Sequence, residues 1–230
     1  MIPIRDDQPT FSTPFLNYFL IGLNLLIYLF QTMLDPRSMK LLLYQLGLVP
    51  ARVTGFFLGT RDLHLAAGLV PFFTSMFLHG SWLHVIGNMW FLWIFGDNVE
   101  DYLGHFQYLV FYLLSGLAAA VAQVALTPYS TVPTIGASGA IAGVLGAYFI
   151  LYPRARVLTW FFIFFLQVPA WVMLGYWFVV QFLSGAASSI AYAGNSRGGI
   201  AFWAHVGGFI AGVILIKIFP ERPRRYRYGT

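Results

Sequence analysis

The chain has 230 residues, of which 59% are hydrophobic and only 9% are charged, and its formal net charge is +5 at pH 7. Because soluble domains carry roughly a quarter charged residues, this composition excludes a soluble globular protein and predicts an integral membrane protein with one domain. The basic residues fall in predicted loops and near the C-terminus, which argues against a nucleic-acid-binding patch. Cysteine is absent, which excludes disulfides and thiolate chemistry.

Six apolar segments follow in chain order, and each is predicted to be a membrane helix. They are Phe15–Leu34, Trp82–Gly96, Phe106–Leu126, Ser138–Tyr152, Val157–Leu183 and Ile200–Phe219. The fourth is short: at about 1.5 Å per residue it reaches about 22 Å, against a hydrocarbon core of about 30 Å. A helix this short ends inside the bilayer against protein or water, which indicates a wet cavity. The predicted fold class is therefore all-α, a polytopic six-helix bundle.

The long segment between the first two spans, Asp35–Ser81, holds apolar pieces too short to cross, mixed with charged residues. This mixture predicts a hairpin lying in the interface on the outer side. Lys and Arg are more numerous on the side of the N-terminus, so we expect both termini in the cytoplasm. The chain then divides into a short tail 1–14, a six-helix domain 15–219 and a basic tail 220–230. The expected location is the plasma (inner) membrane of a prokaryote.

Four polar side chains on three spans are predicted to lie at one depth in the outer half of the membrane, in a site that opens to the outer side. They are His84 and Asn88 on the second span, Ser138 at the start of the fourth and His205 on the sixth. A histidine within a membrane segment is costly and indicates function. A serine needs an adjacent base to act as a nucleophile, and histidine is the usual base near neutral pH. All acidic residues fall outside the predicted spans, so this pair would be a dyad.

Donors for a developing oxyanion are available in the same region. The Ser138 backbone N–H opens a helix and is unpaired at the positive end of the helix dipole. His84 and Asn88 are four residues apart and share one helix face, so both can donate to the same oxygen. Small residues near the pair indicate close helix packing. They are Gly136, Gly139 and Gly143 around Ser138, and Gly208 and Gly212 after His205.

Three motifs occur in order along the chain. They are His79-Gly80-Ser81-Trp82-Leu83-His84-Val85-Ile86-Gly87-Asn88, Gly136-Ala137-Ser138-Gly139 and Ala204-His205-Val206-Gly207-Gly208-Phe209-Ile210-Ala211-Gly212. Together they resemble the rhomboid intramembrane serine proteases from about Phe72 to Gly212. The resemblance implies that Ser138 is the nucleophile and His205 the general base. It also implies that His84, Asn88 and the Ser138 backbone bind the oxyanion.

The resemblance further implies substrates that are single-span or polytopic membrane proteins within the lipid bilayer. The outer hairpin would be the family's membrane-embedded loop. The fifth span and the segment Ser184–Gly199, too small and polar to pack as a span, would form the substrate gate. No cofactor, metal or nucleic-acid partner is expected. His79 is predicted to be interfacial and structural, and His64 and His105 to lie in loops without a role.

Two positions depart from the family pattern. Val70-Pro71 stands where some members carry Trp-Arg, which leaves the anchoring of the outer hairpin open. Ala142 stands where some members carry an aromatic residue that stacks on the catalytic histidine, which leaves the orientation of His205 open.

Two other functions stay open at this point. One is a transporter or channel that uses His84, Asn88 and His205 as a relay and does not need Ser138. The other is a non-catalytic rhomboid-like binding protein. A zinc protease is disfavoured because no His-Glu-x-x-His occurs. The Gly-x-Ser-x-Gly elbow of soluble hydrolases fails at Ala140.

Overall fold

The computed structural model describes residues 1–59, 65–191 and 201–223. Most of these residues are helical. The helices are α1 Phe15–Thr32, α2 Pro36–Leu46, α3 Pro50–Phe57, α4 Leu65–Leu69, α5 Pro71–Thr74, α6 Trp82–Leu103, α7 His105–Leu126, α8 Ser138–Leu151, α9 Ala170–Ala191 and α10 Phe202–Leu215, with a 3-10 turn at Ser75–Phe77. The strands are β1 Ile2–Arg5, β2 Arg156–Phe161 and β3 Phe164–Pro169.

The prediction of six membrane spans is supported only in part. Among the described residues, α1, α7 and α9 have the length and hydropathy to cross a membrane. A fourth candidate is a bent pair, in which Ala67–Phe77 and α6 meet at 77°. The helices α8 and α10 are apolar but have only 14 residues each.

The bundle helices alternate in direction. The start of α1 lies beside the end of α6, where the Glu100 carboxylate accepts hydrogen bonds from the Leu16 and Asn17 amides. The start of α10 lies beside the end of α7, where the Ala204 N–H donates to the Gln123 side chain. We therefore call the end where α6, α8 and α10 begin the site end, and the end where α1, α7 and α9 begin the terminal end.

Helix α8 occupies the centre of the bundle. Every residue from Gly139 to Tyr148 is buried, so this short helix is surrounded by protein rather than lipid, as its length requires. Its glycines allow α10 to pack backbone against backbone. A Cβ built on Gly212 would overlap the Gly143 carbonyl, and one built on Gly208 would overlap the Gly139 carbonyl. Larger residues at these positions would push the two helices apart.

The predicted all-α class is wrong in one respect, because the strands form an antiparallel sheet in the order β1-β2-β3. The predicted fifth span Val157–Leu183 is a β-hairpin followed by α9, which begins only at Ala170. The hairpin is mostly apolar, and hydropathy alone does not separate such a run from a helix. Its aromatic and β-branched residues favour the extended backbone. Residues Ile2–Arg5, predicted to lie in a tail, form the outer strand paired with β2.

The predicted second span also ends later than expected. Helix α6 continues past Gly96 to Leu103, so Asp97, Glu100 and Asp101 lie on it rather than beyond it. The apolar core of the helix stops near Gly96, but the polar partners at the terminal end allow the helix to continue. Glu100 is fully buried there because the α1 amides satisfy its carboxylate.

The segment Asp35–Ser81, predicted as a hairpin, contains the short helices α2 to α5. Arg52 on α3 joins α3 to the end of α2 within this segment. Its guanidinium donates to the carbonyls of Tyr44 at 2.6 Å and Gln45 at 3.0 Å, which are unpaired at the end of α2. Arg61, Asp62 and His64 lie outside the described residues.

Candidate active site

Ser138 is the first residue of α8, and the turn before it depends on glycine. Gly136 has a φ of +122°, a conformation that side-chain-bearing residues rarely adopt. A Cβ at this position would also lie 2.7 Å from His84 Nε2. Glycine therefore allows the chain to pass against α6 and turn directly into α8.

The structure brings Ser138 and His205 together. The Ser138 hydroxyl oxygen lies 2.7 Å from Nε2 of His205, a normal hydrogen-bond length. His205 is 8% exposed, whereas Ser138 is half-buried. The two residues come from α8 and α10, whose glycine-mediated packing sets this distance. The site therefore holds a buried imidazole beside a serine that is only half-buried.

Gln181 on α9 contacts the other nitrogen of the His205 ring. The Gln181 Oε1 atom lies 2.8 Å from His205 Nδ1. Because an amide oxygen only accepts hydrogen bonds, this contact places the imidazole proton on Nδ1 and leaves Nε2 free to accept from the Ser138 hydroxyl. The three side chains form a chain of two hydrogen bonds without a carboxylate.

An aromatic ring also lies beside His205. The Trp177 ring centroid is 5.8 Å from the imidazole centroid, and the planes are inclined by 36°. Trp177 and Gln181 are four residues apart on α9 and share one face. Sequence reasoning missed both residues. The available signal was that Gln181 is the one amide side chain between Ala170 and Leu183.

His84 and Asn88 line the same region from α6. A Cβ on Gly136 would lie 2.7 Å from His84 Nε2 and 3.5 Å from Asn88 Nδ2, so both side chains border the turn into Ser138. The Ser81 hydroxyl caps α6 by accepting from the His84 N–H at 3.2 Å. Within the described contacts, the side-chain hydrogen bond of Asn88 goes to His79 rather than to Ser138.

His79 contacts Asn88. It is fully buried in the protein, and its Nε2 lies 2.9 Å from the Asn88 amide nitrogen. The Gln31 side chain holds the His79 backbone by donating to its carbonyl and accepting from its N–H, each at 3.0 Å. The Asn88 amide donates in this contact, so its orientation is fixed through α1.

His105 and the predicted gate segment lie partly outside the places that the sequence predicted for them. His105 is the first residue of α7 and contacts Glu100 at 2.5 Å at the terminal end, away from Ser138. The predicted gate segment begins inside α9, which continues to Ala191, and its residues 192–199 lie outside the described part of the chain. The end of α9 contacts α10, where the Trp203 indole donates to the Ser189 hydroxyl at 3.0 Å.

These observations define a polytopic helical membrane protein with a serine–histidine pair inside its bundle. Residues 66–222 of the chain match the family model described as "Rhomboid domain". The chain therefore belongs to the rhomboid family, as its three motifs predicted.

Curated relatives share this similarity. The chain is 29% identical over 157 residues to "Rhomboid-like protein 11, chloroplastic" of Arabidopsis thaliana, covering 66% of this chain and 53% of the relative. It is 32% identical over 144 residues to "Rhomboid protein 1, mitochondrial" of Saccharomyces cerevisiae, covering 61% of this chain and 39% of the relative. It is 32% identical over 153 residues to "Presenilin-associated rhomboid-like protein, mitochondrial" of Mus musculus, covering 62% and 36%. The chain thus spans about half or less of these relatives.

The predicted location in the plasma membrane of a prokaryote is contradicted by these relatives, which are named as chloroplastic or mitochondrial proteins. Hydropathy indicates that a chain crosses a bilayer, and the distribution of charge indicates its orientation across that bilayer. They carry no information on which membrane it is.

Proposed function

We propose that this protein is a serine endopeptidase that cleaves membrane-protein substrates within the bilayer. The observation that supports this most directly is the hydrogen-bonded chain from Ser138 through His205 to Gln181. A serine becomes a nucleophile when a positioned base removes its proton, and Nε2 of His205 has the required distance and tautomer.

In the proposed reaction, the Ser138 hydroxyl oxygen attacks the scissile carbonyl carbon while its proton passes to Nε2 of His205. The tetrahedral intermediate then expels the amine, which takes that proton from Nε2. Water enters and hydrolyses the acyl-enzyme by the same proton transfers in reverse order. Gln181 accepts from Nδ1–H throughout and stabilises the imidazolium that forms.

The oxyanion would be bound between α6 and the start of α8. The Ser138 N–H has no partner within the first turn of its helix and lies at the positive end of the dipole. His84 and Asn88 border the same turn, and Asn88 is held by His79. In the apo state the second amide hydrogen of Asn88 is available for the oxyanion.

The position of the site indicates the substrate class. Ser138 and His205 lie on short apolar helices inside the bundle, so the scissile bond must enter the protein from the membrane or its interface. A helix loses its internal hydrogen bonds when it unwinds in lipid. We therefore expect single-span or polytopic membrane proteins whose spans contain helix-breaking residues near the cleavage point.

The test is cleavage of a generic single-span protein by the purified chain in detergent and in liposomes. Ser138→Ala and His205→Ala should each abolish cleavage, and Ser38→Ala, which alters a serine on α2 outside the bundle, should cleave like the wild type. A fluorophosphonate probe should label the wild type at Ser138, located by mass spectrometry of peptides. Substantial turnover by Ser138→Ala would refute the proposal. Absence of both cleavage and probe labelling in the wild type would favour a binding protein.

A further inference from the structure

The hairpin β2–β3 ends in an uncovered apolar segment, Trp160–Leu166, which we call the aromatic tip. Its side chains are among the most exposed apolar groups described: Phe162 is 79% exposed, Ile163 80% and Phe165 64%. The tip carries no charge or polar side chain. Contiguous apolar surface of this kind marks contact with a membrane or a protein.

Contacts of β1 place the sheet alongside the bundle rather than beyond its end. The Trp90 indole N–H donates to the Pro3 carbonyl at 2.6 Å. Trp90 lies about 20 Å along α6 from Leu103, at about 1.5 Å per residue. Ile2 pairs with Trp160, so the aromatic tip continues past the level of Pro3 towards the site end. The tip is therefore level with the membrane-spanning part of α6.

The sheet contacts α9 through β2 as well as α6 through β1. The Asp7 carboxylate accepts from the Arg156 N–H at 2.9 Å, where β2 begins. The Thr159 hydroxyl lies 3.7 Å from the Met173 sulfur, in the first turn of α9. The sheet thus reaches from α6, through β1, to α9. Arg154 and Arg156 lie at its base, where basic side chains meet lipid phosphates in membrane proteins.

The turn of the hairpin retains a bulky residue at a position that favours glycine. Phe162 has a φ of +54°, and within the described residues it is the one non-glycine with a positive φ. A left-handed conformation costs an aromatic residue free energy that glycine or asparagine would not incur. Because the Phe162 ring makes little contact within the chain, its presence is explained by contact with something outside it.

The open edge of β3 limits how deep the tip can lie. Unpaired backbone groups are not tolerated in the hydrocarbon centre, but they are satisfied at the interface, where Trp and other aromatic rings also concentrate. We propose that the aromatic tip inserts among the acyl chains of the lipid leaflet nearest the terminal end, while the base of the hairpin, with Arg154 and Arg156, lies at the headgroups of that leaflet. There it anchors the first turn of α9. This interaction surface does not depend on the proposed protease activity.

The test uses the absence of native cysteine. Ile163→Cys and, as the matched control, Thr10→Cys in an exposed polar loop at the same end are each labelled with an NBD fluorophore and reconstituted in phosphatidylcholine liposomes. The Ile163 label should emit at shorter wavelength and should be quenched several-fold more by nitroxide-bearing lipid than by aqueous iodide. The Thr10 label should show the opposite preference.

Three other outcomes would overturn the proposal. An Ile163 label that iodide quenches as strongly as the Thr10 label would place the tip in water. A label protected from both quenchers, together with disulfide-linked dimers of Ile163→Cys, would assign the tip to a contact between two copies. A label whose quenching by lipid is unchanged when Phe164→Asp is added would show that the apolar tip does not hold the hairpin there. If Ile163→Cys does not fold, Phe165→Cys serves as the second labelling position.

Discussion

Replacement of Gln181 by leucine should leave the fold intact but slow catalysis, because the His205 base loses its orientation. Leucine has a similar volume but no acceptor, so the Nδ1–H of His205 loses its partner at 2.8 Å in a buried site. The ring can then rotate or adopt the other tautomer, in which Nε2 carries the proton and no longer accepts from Ser138. Gln181→Glu retains an acceptor oxygen at the same position and should recover most of the rate.

The magnitude follows from the contact that is lost. An unsatisfied buried polar group costs about 1–3 kcal/mol. At about 1.36 kcal/mol for each tenfold change in rate, this corresponds to a decrease in kcat of about 5- to 150-fold. The change in KM should be small because Gln181 contacts His205 rather than the substrate.

The assay is cleavage of a single-span substrate over a range of concentrations and pH values, with ¹⁵N NMR of the His205 ring to report its tautomer. Gln167→Leu, on the exposed strand β3, is the matched control and should leave both parameters unchanged. In Gln181→Glu the added carboxylate stabilises the imidazolium, so the acidic limb of the kcat profile should move to higher pH. An unchanged kcat and tautomer in Gln181→Leu would refute the role of Gln181, whereas an inactive wild type would refute the proposed function itself.

Other parts of the structure give three further predictions. His84→Ala and Asn88→Ala should each lower kcat by about 100-fold, and by up to about 1,000-fold if the residue is the sole donor, with less effect on KM. A kcat equal to that of the wild type in both variants would assign these residues to packing. Gly212→Ala should reduce thermal stability and activity together, because its methyl group meets a carbonyl of α8, whereas Gly22→Ala, with nothing within 4 Å, should not. Burial raises the pKa of Asp6 above its ordinary 3.8. The free energy of unfolding should therefore fall as pH rises through that raised pKa. Denaturation experiments at several pH values should show that Asp6→Asn removes this contribution.

The serine–histidine pair was accessible to sequence reasoning because each residue is conspicuous where it stands. His205 is the one ionisable residue between Ile200 and Lys217, and Ser138 stands between Gly136 and Gly139 at the start of another apolar segment. The glycines after each residue indicated that their helices approach closely, and the structure places Gly212 against Gly143. Gln181 gave a weaker signal because an uncharged amide is less costly in a membrane segment than a histidine. Its partner could not be inferred without knowing how α9 rotates about its axis.

The hairpin was predicted incorrectly because two physical descriptions fit the same residues. Val157–Leu183 is an uncharged, mostly apolar run long enough to span a bilayer. The strands in its first half pair with each other, and β2 also pairs with β1 from the other end of the chain. Such a distant pairing leaves no mark in local hydropathy. Pro169, which ends β3 immediately before α9, was the available sign of a boundary within the run.

Helix α9 contacts its neighbours at three positions along its length, and these contacts differ in strength. Its first turn packs against β2 through Thr159 and Met173. Gln181 makes a partly buried hydrogen bond with His205, whereas Ser189 makes an exposed one with Trp203. Exposed hydrogen bonds exchange readily with water and contribute less than buried ones. If substrate enters beside α9, the part beyond Gln181 should therefore separate from α10 first. If only the part of α9 beyond Gln181 separates, Gln181 still orients His205 while substrate enters. Displacement of the whole of α9 would instead remove the Gln181 acceptor from Nδ1 of His205 as the substrate arrives.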